Sequence, residues 1–255
     1  MAAGKTHLVF DVGIGKDKPI TVVSSGVECP FCRREQLEGI IAQDGEILLL
    51  HNKYPVLRDT VQTVLIETAD CNSELSLYPK DYLYRVIRFA VKHWQAMMES
   101  GEFASVILYK NHGPYSGGTI KHPHMQIVGL KNIDYRRNIT PECLNGEVIW
   151  ADGGVELNLA RQPKIGFMEF NIRAQGEGSV EKMADCIQRM AHYLLHHFHW
   201  GCDSYNLFFY QFSQEISVKI MPRFVTSPLF VGYSIPQVSS RAGEVVKEIR
   251  SIYFE

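Results

Sequence analysis

Positive charge is not in excess in this chain: 26 lysines and arginines stand against 28 aspartates and glutamates. Binding driven by neutralising phosphates needs a basic stripe, so nucleic acid is not an expected partner. Long apolar runs are missing too. No stretch approaches the roughly 18 consecutive apolar residues that a membrane span requires, so no membrane association is expected. The first residues, Met1 to Thr6, lack the apolar core of a secretory signal. Cysteine is sparse and irregularly spaced, six in 255 residues, which argues against a small disulfide scaffold. These absences predict a cytoplasmic protein in reducing surroundings, where neighbouring thiols hold metal rather than each other.

What the chain does have is one unusual central stretch, residues 111–130. It opens where the apolar run Val106-Ile107-Leu108-Tyr109 ends, passes through Gly117 and Gly118, and continues as His122-Pro123-His124-Met125-Gln126 into Ile127-Val128. On a strand, His122, His124 and Gln126 would share one face, and Pro123 suits a strand's first residues or an edge. Three polar side chains fed by a glycine turn make poor core and a good phosphate site. A neutral imidazole there can ligate a metal or attack phosphorus as a nucleophile.

Around this stretch the pattern is strand, strand, long helix, strand, strand. Strands are expected at 46–52, 61–68 and 104–110, with a helix after Pro79 carrying Leu83, Val86, Ile87, Ala90, Val91 and Trp94 on one face and ending at Gly101. Residues 130–154 are polar and irregular. The same grammar then repeats: strands at 155–160 and 165–172, a helix carrying Val180, Met183, Ala184, Ile187, Ala191, Leu194 and Phe198, strands at 205–211 and 216–221, and a last helix through Val245, Val246, Ile249 and Ile252. The expectation is an α+β chain of two similar halves, 1–150 and 151–255, each an antiparallel sheet packed with a long helix.

Cys29-x-x-Cys32 is half of a zinc site by spacing, though a redox pair or an ordinary loop fits it as well. Cys71 follows a strand, and His122 opens the His-x-His pair. Cys29, Cys32, Cys71 and His122 together would make a closed Cys3His zinc site. Of the other cysteines, Cys186 falls near a helix core face, where a buried free thiol is common.

The segments Cys29-Pro-Phe-Cys32, Asn52-Lys-Tyr-Pro55, Glu67-Thr-Ala-Asp-Cys71 and Asn111 through Gln126 resemble, in order and interval, the galactose-1-phosphate uridylyltransferase branch of the histidine triad superfamily. The resemblance is close over about 28–130. It implies two histidine-triad-like halves, zinc on the cysteine pair and His122, with Cys71 where a histidine is usual. It further implies His124 as a nucleophile that carries a nucleoside monophosphate covalently. Asn111, Gly117, Gly118 and Thr119 would bind phosphate and nucleotide, with Asn52 and Lys53 near ribose or base. The implied partners are a nucleotide sugar or nucleotide and a sugar phosphate or phosphate. A homodimer is implied by the resemblance alone.

Gln126 stands where histidine triad hydrolases carry a third histidine. Glutamine cannot titrate, so it holds phosphoryl oxygens without helping water attack, which favours a nucleotidyltransferase. The alternatives are a nucleotide-sugar or dinucleotide hydrolase and a catalytically silent nucleotide-binding zinc protein. Val218-Lys219-Ile220-Met221-Pro222-Arg223 lacks the family's second His-x-His, so no second metal is expected. Lys219 and Arg223 would meet phosphate or solvent instead. Ser234 replaces an expected sugar-binding glutamate, which leaves the sugar open. His192, His196 and His199 lie at helical spacing and read as packed or solvated residues.

Overall fold

The computed structural model describes residues 7–22, 28–176, 178–198 and 201–255. Its strands are β1 (Ile40–Asp44), β2 (Ile47–His51), β3 (Thr60–Ile66), β4 (Ser105–His112), β5 (His124–Leu130), β6 (Gly146–Asp152), β7 (Val155–Ala160), β8 (Phe170–Ala174), β9 (Tyr205–Phe212) and β10 (Glu215–Pro222). The helices are α1 (Val12–Lys16), α2 (Lys80–Glu99), α3 (Ser179–His196), α4 (Pro228–Tyr233) and α5 (Ala242–Tyr253). All ten strands join one antiparallel sheet in the order β1-β2-β3-β5-β4-β9-β10-β8-β7-β6. Read outward from the β4–β9 seam, each half has the same order of strands, and each contributes one long helix.

Alternation sorts the two faces of this sheet. Leu49, Leu65, Met125, Ile127, Leu108, Phe209, Leu207, Ile220, Ile172 and Leu157 form one core with α2 and α3. The residues of α2 expected to face inward are buried, and Trp94 donates its indole N–H to the Val106 carbonyl at 3.0 Å. Each buried Leu, Ile or Val among them contributes about 1.5–3 kcal/mol on leaving water. The helix ends at Glu99, and Gly101 follows at φ +72°, a left-handed position that favours glycine. The opposite face of the first half carries a small apolar cluster, Leu48, Leu50, Val64 and Ile66, with Phe31 and Leu37 against it. His124 and Gln126 stand on that same face, opposite Ile66 and Val64.

One expected strand needs correction, and two further strands stand beside those expected. The expected strand at 165–172 begins only at Phe170, because Gly166 and Phe167 take φ +150° and +53° and break extension. Two strands, β1 and β6, went unread. They are the outermost strands of the sheet, and their mixed exposure lacks the period of a half-buried strand.

Candidate active site and metal centre

β5 starts at His124, so His122 lies just before the strand rather than on it. Pro123 has no N–H for the ladder, yet its carbonyl accepts from Glu67 N at 3.1 Å. The His-Pro-His segment is therefore bonded to the end of β3 before pairing proper begins. His124 is 7% exposed. Its Nδ1 lies 2.7 Å from the His122 carbonyl, which can only accept. The proton must sit on Nδ1, leaving the Nε2 lone pair unused. The acceptor thus comes from the same His-Pro-His segment, two residues before the ring it orients. Burial pulls the His124 pKa down to about 4, with only the hydrogen bond to His122 opposing. The ring is neutral at pH 7, as a nucleophile requires.

His122 is fully buried. Its Nε2 lies 2.8 Å from the Thr68 carbonyl, and its Nδ1 lies 3.6 Å from both Cys29 Sγ and Cys32 Sγ. With Cys71 Sγ these ligand atoms all fall within 4.8 Å of one another. Burial works against a thiolate on Cys29, but hydrogen bonds from His122 and the Phe31 backbone outweigh it and bring the thiol down to about 7. Burial and the two neighbouring thiols push Cys71 up to about 12. Burial and the neighbouring Cys29 in turn raise the pKa of both Cys32 and Cys71, and three sulfurs gathered this closely with an imidazole could hold a metal ion. Cys3His chemistry suits zinc, and the Thr68 carbonyl fixes the His122 tautomer that frees Nδ1 for it.

Beside His124 opens a cavity of about 630 Å³ lined by Asn52, Lys53, Asn111, Gly117, Gly118, Thr119, His124 and Gln126, with Cys29 at its margin. The sequence-derived phosphate and nucleotide residues thus meet at one cavity, and the metal set adjoins it. Gly117 takes φ +83°, where an L side chain is strained. Asn52 Oδ1 accepts from Tyr54 N at 2.9 Å, which leaves its amide N–H groups for a ligand. Phe31 presents its edge to both histidines, 5.9 and 5.5 Å between centroids.

Lys18 also lines the cavity, and sequence reasoning missed it. Half-burial lowers its pKa. The segment that carries it is tied down by Thr21 N to the Thr119 carbonyl at 2.7 Å and by Lys121 N to Thr21 Oγ1 at 2.9 Å. No local signal near residue 18 announces these contacts.

Beneath the histidines runs a buried ion pair. Lys110 Nζ lies 2.5 Å from Glu67 Oε1, and the two side chains are 1% and 0% exposed. Tyr78 donates to Glu67 Oε2 at 3.0 Å, and Lys110 Nζ reaches the His124 carbonyl at 3.5 Å.

The remaining candidates lie elsewhere. Lys219 meets neither phosphate cavity nor solvent: it is 3% exposed and pairs with Glu169 at 2.8 Å and Asn171 at 2.7 Å. Arg223 donates to Asn206. His192 bonds Tyr253 at 2.6 Å and packs on His196; His199 falls outside the described residues.

A family model described as the N-terminal domain of DUF4931, a domain of unknown function, matches residues 10–133, and its C-terminal counterpart matches 136–254. The crystal structure of a DUF4931 family protein from Bacillus cereus ATCC 10987 is 45% identical, with TM-score 0.78, covering 85% of this chain and all of that one. A uridylyltransferase structure shares the fold at 15% identity, TM-score 0.71, over 91% of this chain and 94% of its own. An ADP-glucose phosphorylase from Arabidopsis thaliana with bound ADP-glucose does so at 16% identity, TM-score 0.68, over 92% of each chain. A di-/tripeptide transporter from Lactobacillus helveticus is 42% identical over 52 residues, 20% of this chain. The chain spans about a tenth of that curated relative, and no helix among the described residues is long and apolar enough to cross a membrane.

Proposed function

From a chain that belongs to the DUF4931 family and carries the uridylyltransferase fold, we propose a nucleotidyltransferase that works through a covalent nucleotidyl-histidine on His124. The observation that carries the reading is the 2.7 Å hydrogen bond from His124 Nδ1 to the His122 carbonyl. It supports a neutral ring with its reactive nitrogen free beside a glycine-lined cavity.

In the first half-reaction His124 Nε2 attacks the α-phosphorus of a nucleotide sugar. The P–N bond forms as the P–O bond to the sugar phosphate breaks, and the sugar phosphate leaves with the electron pair. In the second, an oxygen of inorganic phosphate or another sugar phosphate attacks the same phosphorus, and the P–N bond breaks to restore neutral His124. The His122 carbonyl holds the Nδ1 proton throughout and stabilises the positive ring of the intermediate. Gln126, Asn111 and the loop amides near Gly118 donate to phosphoryl oxygens, and Lys18 offsets their charge. Zinc on Cys29, Cys32, Cys71 and His122 would stiffen the segment that aims His124 and take no part in bond making.

Incubation with UDP-glucose and ADP-glucose, followed by intact-mass measurement, tests the reading. The native chain should gain one acid-labile nucleoside monophosphate. His124→Ala should gain none, while its zinc content and thermal midpoint stay near native. An adduct that survives in His124→Ala would move the nucleophile elsewhere.

A further inference from the structure

The two halves meet along β4 and β9, and the loop that borders the cavity rests on that seam. Asn206 of β9 stands directly opposite Asn111 of β4 and is 1% exposed. Its Nδ2 donates to Asn111 Oδ1 at 2.7 Å and to the Ser116 carbonyl at 3.0 Å. Arg223, just past β10, donates from Nη1 to Asn206 Oδ1 at 2.6 Å. Tyr115 N donates to Ser204 Oγ at 3.1 Å. Gly113 lies so close that a Cβ there would stand 2.1 Å from the Asp203 carbonyl oxygen. All of these anchors for the 111–116 segment come from the C-terminal half.

The direction of each bond follows from one fact: arginine has donors and no acceptor. Asn206 must turn its oxygen to Arg223, so its nitrogen faces Asn111 and Ser116. Asn111 must then give its oxygen to Asn206, which leaves its own N–H groups free. That nitrogen lies 3.8 Å from where a Cβ on Gly118 would sit, beside the cavity both residues line. A phosphoryl oxygen only accepts, so this polarity suits it.

We infer that Asn206 and Arg223 are positioning residues of the C-terminal half, a relay that points the Asn111 amide at the phosphoryl group and seats the glycine loop. The inference rests on the nucleotidyl-transfer reading and deepens it. The half without a nucleophile at the cavity sets the donor polarity of the half that has one.

The test is single-turnover adduct formation with UDP-glucose and ADP-glucose, together with exchange of the Asn206 side-chain amide protons followed by 15N NMR. Arg223→Met removes the donor and keeps most of the stem. It should react about tenfold more slowly, since small misplacements of a positioned group cost rate, with KM, zinc content and thermal midpoint little changed. Arg223→Lys restores a donor and should recover most of the rate. In the native chain the Asn206 amide protons should be protected, and in Arg223→Met they should exchange quickly. Folded Arg223→Met that reacts at the native rate overturns the relay. Should that variant not fold, Asn206→Asp answers the same question, because it has no donor for Asn111; native-rate reaction in it is equally damaging. If the native chain forms no adduct with either nucleotide sugar, the transferase reading fails by itself. The relay is then judged by the amide alone, and freely exchanging Asn206 protons in the native chain overturn it.

Discussion

At the scale of single residues, two side chains decide most of the proposed chemistry without touching phosphorus first. Gln126 sits on the same strand face as His124, two residues on, and lines the same cavity. It donates and accepts but does not titrate. Gln126→His should therefore still form the nucleotidyl adduct, and the adduct should be hydrolysed faster, about tenfold or more, because a general acid–base group now stands beside it. Adduct lifetime by mass measurement checks this; an unchanged lifetime would mean that Gln126 does not separate transfer from hydrolysis. Cys71 is the other. Its thiol, the one held highest by burial and by Cys29 and Cys32, is the ligand that most needs a cation beside it. Cys71→Ala should lose zinc on dialysis against a mild chelator under conditions where the native chain keeps one per molecule. It should also melt earlier, since metal affinity is folding free energy, on the order of 10 kcal/mol for a structural site. Full zinc retention in Cys71→Ala would remove Cys71 from the ligand set.

At the scale of elements, the end of β3 is tied to the His-Pro-His segment at several points. Glu67 N holds the Pro123 carbonyl, the Thr68 carbonyl holds His122, and the Glu67 carboxylate holds Lys110, which reaches His124. A buried ion pair adds little net stability, but losing one partner strands the other charge. Lys110→Met should cost about 3–5 kcal/mol in urea unfolding, and Lys110→Met with Glu67→Gln should cost clearly less than that single change. A double variant worse than the single would show that the pair stabilises by itself. These contacts also mark the limit of what the sequence made legible. The α2 face could be read because the residues at helical spacing are the ones buried, Leu83 to Trp94. β2 and β3 could be read because their apolar runs are buried. β1 and β6 could not, because a strand at the sheet's rim buries no regular face. The apolar run 165–168 misled, since a positive φ at Phe167 is invisible to composition. The local motifs that converge on the cavity were legible; the places of Lys18 and Asn206 were not, because the contacts that set them, Thr21 to Thr119 and Asn206 to Asn111, run about a hundred residues apart and no local pattern records a contact of that kind. Arg223 stood out as a cation, but its partner Asn206 on the neighbouring strand did not.

At the scale of the whole molecule, the seam between β4 and β9 joins two five-stranded sheets into one and carries its own titratable group. His112 at the end of β4 stands opposite Tyr205 of β9 and stacks on it, 4.8 Å between centroids and 15° between planes. Burial is the main reason its pKa falls to about 4; Lys110 lowers it further and Asp203 opposes. In the unfolded chain the same ring titrates near 6.5. Below that pH the unfolded state takes up a proton that the folded state refuses, so stability is full above about 6.5 and falls with acid until about 4. By pH 5 the loss from this one ring should be about 2 kcal/mol. His112→Phe keeps an aromatic ring on Tyr205 and removes the titration. Urea unfolding at pH 7.5 and pH 5 should show the native chain losing about 2 kcal/mol more than the variant over that interval. If both lose the same amount, the His112 ring is protonated inside the fold, and the seam is not a point where acid opens the molecule.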